Sequence, residues 1–128
     1  VIPAIFDHTA LLALGAGYPA LSGFVVDAAA GRAAVHVPAL CLTAAEAQRQ
    51  GVAEHVGALP GLDIDALDLS AVIAVGALIG DGIDWRIAHA VHASRPSAHH
   101  PTGLVVLSVQ PGLYAGTGVD PIDPGKIS

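Results

Sequence analysis

The sequence predicts an α/β fold of three layers, α/β/α, with a central, mainly parallel sheet, and three observations lead to it. Short apolar runs of strand length alternate along the chain with longer segments that carry helical periodicity and helix caps. The 128 residues are 53% hydrophobic and only 12% charged, enough to bury roughly two-thirds of the unfolded surface in one domain without disulfides. The apolar content lies in Ala, Gly, Val and Leu, and Met is absent, which suits close packing of helices on a sheet.

Taken in order, Ile2 to Phe6 reads as a short buried strand ending at Asp7, and Thr9 as the cap of a helix over Ala10 to Leu14 that Gly15-Ala16-Gly17 interrupts. A second helix spans Pro19 to Ala30, with Leu21, Phe24, Val25 and Ala28 on one face and Gly31 as its stop. Ala34 to Pro38 is strand-like. Thr43-Ala44-Ala45-Glu46 fits the Thr-x-x-Glu capping box, opening a short helix that Gly51 ends. Leu62 to Asp65 reads as a strand, Asp68 or Ser70 as the cap of a helix over Ala71 to Ile79, and Asp84 as the head of a helix over Trp85 to Ala93. Leu104 to Val109 is the most β-like run, and Gly118 to Ile122 adds a short edge strand. The whole chain, 1–128, is expected to form a single domain, with a polar surface loop at 94–101 and a flexible tail at 123–128.

Bulk composition narrows the function classes. The longest apolar stretches fall far short of the ~20 residues a membrane span requires. The opening Val1-Ile2-Pro3-Ala4-Ile5-Phe6-Asp7 lacks the basic region of a signal peptide, so a cytoplasmic protein is expected. Cys41 is the single cysteine, in an apolar segment, and reads as a buried thiol. Eleven acidic residues against five basic ones give a formal charge of −6, with no basic cluster to grip nucleic acid by itself.

The acids themselves invite a chemical reading. In a parallel sheet ligands bind beyond the carboxyl ends of the strands, which is where Asp7 and the Ser108-Val109-Gln110-Pro111 turn are expected. Asp84 stands at the head of the helix that precedes the most β-like run. Carboxylates converging at one sheet edge can hold a hard divalent cation together with water and phosphate oxygens.

The order and surroundings of these residues resemble a PIN domain, the compact nuclease fold of many bacterial toxin ribonucleases. Ile5-Phe6-Asp7-His8-Thr9-Ala10-Leu11-Leu12-Ala13-Leu14 is similar to that family's first motif, and Val37-Pro38-Ala39-Leu40-Cys41-Leu42 to the strand and turn before its second. Asp84-Trp85-Arg86-Ile87-Ala88-His89-Ala90 resembles its Asp-headed helix, and the run from Val105 to Gly116 its closing strand and loop. The resemblance implies Mg²⁺- or Mn²⁺-dependent hydrolysis of RNA, the ions generating the attacking hydroxide and stabilising charge on the phosphate. It implies Asp7 as the central metal ligand and Asp84 as the second, with Thr9 and Ser108 supporting them. It also implies a small antitoxin as partner, if the chain is half of a toxin–antitoxin pair, and a homodimer.

Two positions depart from the family pattern. Its second acid falls at Ala44, whereas Glu46 is two residues further on, about 200° around a helix. Its fourth falls near Gln110, which offers a carbonyl but no charge. An active site would therefore consist of Asp7, Asp84 and Glu46, with Gln110 in support. The rival reading is a catalytically inactive PIN-like domain that binds or assembles proteins. Each acid also has a structural reading: Asp7 as a turn residue, Asp84 as a helix cap, Glu46 as part of the capping box.

Other chemistries find less support. His89 and His92 are three apart on one helix and His99-His100 follow in the loop, a transition-metal alternative without a His-x-x-x-His or thiol signature. Gly15-Ala16-Gly17 lacks the lysine of a phosphate loop, and no serine sits in a Gly-x-Ser-x-Gly elbow.

Overall fold

A computed structural model describes residues 3–126. Four strands form one parallel sheet: β1 (Pro3–Phe6), β2 (Ala34–Pro38), β3 (Leu62–Asp65) and β4 (Val105–Leu107), in the order β3-β2-β1-β4. The helices are α1 (His8–Gly15), α2 (Pro19–Ala29), α3 (Ala39–Gln48), α4 (Val52–Ala58), α5 (Leu69–Gly80) and α6 (Trp85–Ser94). The expected α/β architecture is the one found. Ile2, placed in the first strand by its sequence, lies outside the described residues.

Side-chain alternation along the strands sorts the core into two halves. Ala4, Phe6, Val35, Val37 and Leu107 pack with Leu11, Leu21, Val25 and Val56 from α1, α2 and α4. On the opposite face Ile5 and Val106 pack with Ile87, Ala90 and Val91 of α6, with Cys41 of α3 and with Tyr114. The sheet is thus the middle layer. Each fully buried large side chain contributes roughly 1.5–3 kcal/mol, so the aliphatic core needs no disulfide. Among the described residues no single helix is long and apolar enough to cross a membrane.

Strand order reverses between β1 and β4, because the chain first builds outward through β2 and β3 and then returns to the other side of β1. Asp7 directly follows β1 and Ser108 directly follows β4, so both stand at this switch point.

Several local expectations need correction. Asp7, not Thr9, caps α1: its carboxylate accepts from Ala10 N, and the helix begins at His8. Helix α3 starts at Ala39, immediately after Pro38, so Thr43 is inside a helix and its hydroxyl donates to Ala39 O at 2.9 Å. The capping box therefore does not form. Gly51 does not simply end a helix but takes a left-handed conformation (φ 98°) as N-cap of α4, a helix the sequence did not announce. Strand β4 covers only three of the six residues read as strand. The expected edge strand at 118–122 is reduced to one bridge between Leu107 and Ile122. Of the expected flexible tail, Pro124–Lys126 form a 3-10 turn with Pro124 buried, and residues 127–128 lie outside the described residues.

Asp68 caps α5 by accepting from Ala71 N, and Gly31 follows α2 with φ 77°. Both match the roles read from their residue types.

Candidate functional site

Asp7 is completely buried at the carboxyl end of β1. Its Oδ1 accepts from the Thr9 hydroxyl at 2.6 Å and from Ala10 N at 2.9 Å, while Oδ2 accepts from the Tyr114 hydroxyl at 2.9 Å. Thr9 spends its only hydroxyl hydrogen on Asp7, so the 3.1 Å contact between Thr9 Oγ1 and Ser108 Oγ has Ser108 as donor. Val109 N also donates to Thr9 Oγ1, and Gln110 N donates to Ser108 Oγ. The network ties the start of α1 to the turn after β4. Thr9 and Ser108 are both buried, and only Thr9 touches the carboxylate directly.

Tyr114 is the residue sequence reasoning missed. It lies in a 3-10 turn (Pro111–Tyr114), only 2% exposed, and is 107 positions from the carboxylate it meets. Burial first, and then the Asp7 charge, push its phenol well above the ordinary range, so it stays protonated and donates. Its one sequence signal is a bulky aromatic in a Gly-rich stretch otherwise built to turn.

Asp84 caps α6, accepting from Arg86 N at 2.9 Å. The same carboxylate is gripped by the Arg86 guanidinium: Nη2 donates to Oδ2 at 2.6 Å, and Nε reaches both oxygens at 3.1 and 3.2 Å. The Arg86 hydrogen bond holds the Asp84 carboxyl below the usual carboxylate range. The pair is about one-third exposed, so solvent screens its attraction.

Glu46 is directed elsewhere. It accepts from Gly51 N at 3.0 Å and from Ala53 N at 2.9 Å, closing the open amino end of α4, and these backbone donors lower its carboxyl. Gln110 is exposed on the rim of the cleft above Asp7.

That cleft holds about 390 Å³ and is lined by His8, Thr9, Gln48, Arg49, Arg86 and Gln110, with apolar side chains of α1. The two permanently charged side chains on its wall are both arginines. Arg49 donates to Leu12 O at 3.1 Å, spanning from the end of α3 to α1. His8, 2% exposed, has a buried Nδ1 with no hydrogen-bond partner among the described residues. Burial lowers its pKa, a shift Asp7 opposes and Arg86 reinforces. The cleft wall therefore presents Arg49 and an Arg86 already paired with Asp84, with the Asp7 carboxylate buried beneath.

This donor set does not fit a resident Mg²⁺ or Mn²⁺. Such ions take carboxylate oxygens free to face them and water. Three protein hydrogens already occupy Asp7, a guanidinium occupies Asp84, and Glu46 points into a neighbouring helix end. Among the described residues no three His, Cys, Asp or Glu side chains come together to hold one ion.

Cys41 is buried close to this site, where the Asp7 charge adds to the effect of burial on its thiol. Its thiol donates to Arg86 O, and burial raises its pKa, leaving it un-ionised and unreactive.

Comparison with protein-family models, characterised proteins and solved structures returns no match to this chain.

Proposed function

We propose that this chain is a PIN-like domain whose former metal centre is closed by its own side chains, and that it works as an assembly module rather than a ribonuclease. The observation that carries the reading is the occupation of both central acids. Three hydrogen bonds take up most of the acceptor capacity of the fully buried Asp7, and Asp84 would have to release Arg86 to face an ion. An arginine paired with one of the carboxylates is the kind of device by which an antitoxin would silence such a centre, here supplied by the chain itself on Asp84.

The surface that supports assembly is α5. None of its twelve residues is charged, and it packs chiefly on α6. Leu69, Val72, Ile73 and Ile79 are 76%, 46%, 66% and 40% exposed, along a helix about 18 Å long. The occupant is a second copy of this chain. An uncharged helix opposes no like charges when it meets itself, and Gly76 and Gly80 let the backbones approach. One short helix pair buries less than a standard interface, so the dimer is weak and concentration-dependent.

Sedimentation velocity over a wide concentration range tests this. Wild type is expected to shift from monomer to dimer, and Ile73→Glu to stay monomeric at every concentration. A wild type that remains monomeric, or an Ile73→Glu variant that pairs equally well, overturns the reading.

A further inference from the structure

Five of the seven histidines line one cavity of about 470 Å³ on the opposite side of the sheet from α1 and α2. Alternation explains how they gather there. His36 occupies the position on β2 that Ile5 occupies on β1, facing α6, and its partner across β3 is Asp63. A polar patch thus replaces core at this end of the sheet. His89 and His92 come from α6, and His99 and His100 from the loop before β4.

We infer that this cavity is a binding site for a borderline transition-metal ion such as Zn²⁺ or Co²⁺, held by His36, His92 and His100. The geometry around His36 is the strongest argument. Its Nδ1 lies 3.2 Å from Asp65 Oδ1, and a carboxylate there makes Nδ1 the protonated nitrogen and leaves Nε2 as a free base. A carboxylate behind an imidazole is the arrangement that orients and strengthens histidine ligands to metal. The His100 ring stands edge-to-face with His36, centroids 5.6 Å apart, at a spacing from which both can reach one ion.

His89 has a different part. Its Nδ1 accepts from Leu40 N at 3.2 Å, so its Nε2 carries the proton and is a donor, not a ligand. The loop is shaped by Ser97, whose hydroxyl accepts from His100 N and whose own N donates to His100 O. As they stand, no three donors among the described residues meet at one point, so occupation requires rotation of His92 and His100 about their side-chain bonds. Both are only half-buried and border the open space of the 470 Å³ cavity. Imidazole nitrogens select Zn²⁺, Co²⁺ or Ni²⁺ over Mg²⁺, which separates this site from the chemistry considered at Asp7.

Titration calorimetry with Zn²⁺ alone, and the visible absorption of Co²⁺, test the site on the full chain. Wild type is expected to take up one ion per chain. His36→Ala and His100→Ala should each weaken binding by at least ten-fold, Asp65→Asn by about ten- to a hundred-fold as for other outer-shell carboxylates, and the exposed His55→Ala not at all. His100→Ala lies in a loop and leaves the core intact, so its result stands even if His36→Ala fails to fold. Absence of saturable binding by wild type, unchanged affinity in His100→Ala, or an equal loss in His55→Ala overturns the proposal.

Discussion

Asp7 and His8 are neighbours that solve opposite burial problems. The carboxylate is satisfied by Thr9, Ala10 and Tyr114, whereas the imidazole beside it keeps a buried nitrogen without a partner. Burial disfavours the charged imidazole more than the neighbouring Asp7 charge favours it, so His8 is held neutral. The consequence for stability has a definite sign. Unfolded His8 takes up a proton below about pH 6.5, while the folded protein resists doing so because the pKa is lowered. Stability is therefore complete above that value and falls as the pH drops below it, by at most ~1.4 kcal/mol per pH unit for each such group. His89 is shifted the same way, again mainly by burial. Urea unfolding at pH 7.5 and 5.5 is expected to show a lower midpoint at the acid pH, and a smaller drop in His8→Gln. Equal drops in the two proteins would show that His8 is not the group responsible.

Among the elements, the helices packed on one face of the sheet depend on close approach at their ends. Gly61 leads into β3 with φ 82°, and a Cβ there would come within 2.5 Å of Ala28 O at the end of α2. Both the backbone conformation and the contact exclude a side chain. Gly61→Ala is expected to destabilise the fold by about 1–3 kcal/mol, read as a lower thermal midpoint, with the α2–β3 junction the first region to exchange its amide hydrogens. A loss of less than ~0.5 kcal/mol would mean that the junction relaxes freely.

At the same scale the sequence was most readable where periodicity and caps agreed. Helix α2 shows this in Leu21, Val25, Ala28 and the stop at Gly31, and α5 in its Asp68 cap. It was least readable at α3 and α4, because Thr43-x-x-Glu46 satisfies a local pattern that tertiary structure overrides. The helix already runs from Ala39, and the same Glu46 caps the next helix instead. A capping motif specifies which donors a side chain can satisfy, but not which helix will present them.

For the whole molecule, topology explains which site residues were legible. Asp7, Thr9 and Ser108 meet because β1 and β4 are parallel neighbours at a reversal of strand order, and sequence could place Asp7 and Ser108 at strand ends, whereas Thr9 lies inside α1 and not at its cap. The partners that decide the site's character were hidden. Tyr114 reaches Asp7 from a non-periodic turn, and the Arg86 that holds Asp84 reads in sequence as an ordinary helix residue. The excess of acids over bases consequently does not describe the cleft, whose rim carries Arg49 and Arg86. Net charge belongs to the molecule, while reactivity belongs to the few groups that share a surface.

The proposed function has Asp7 and Asp84 held by protein donors and free of metal chemistry. Its most direct test is cleavage of single-stranded RNA in Mn²⁺ by wild type and Asp7→Asn purified side by side. No cleavage by wild type above that of the variant is expected at any metal concentration. Mn²⁺-dependent cleavage by wild type that disappears in Asp7→Asn would contradict it.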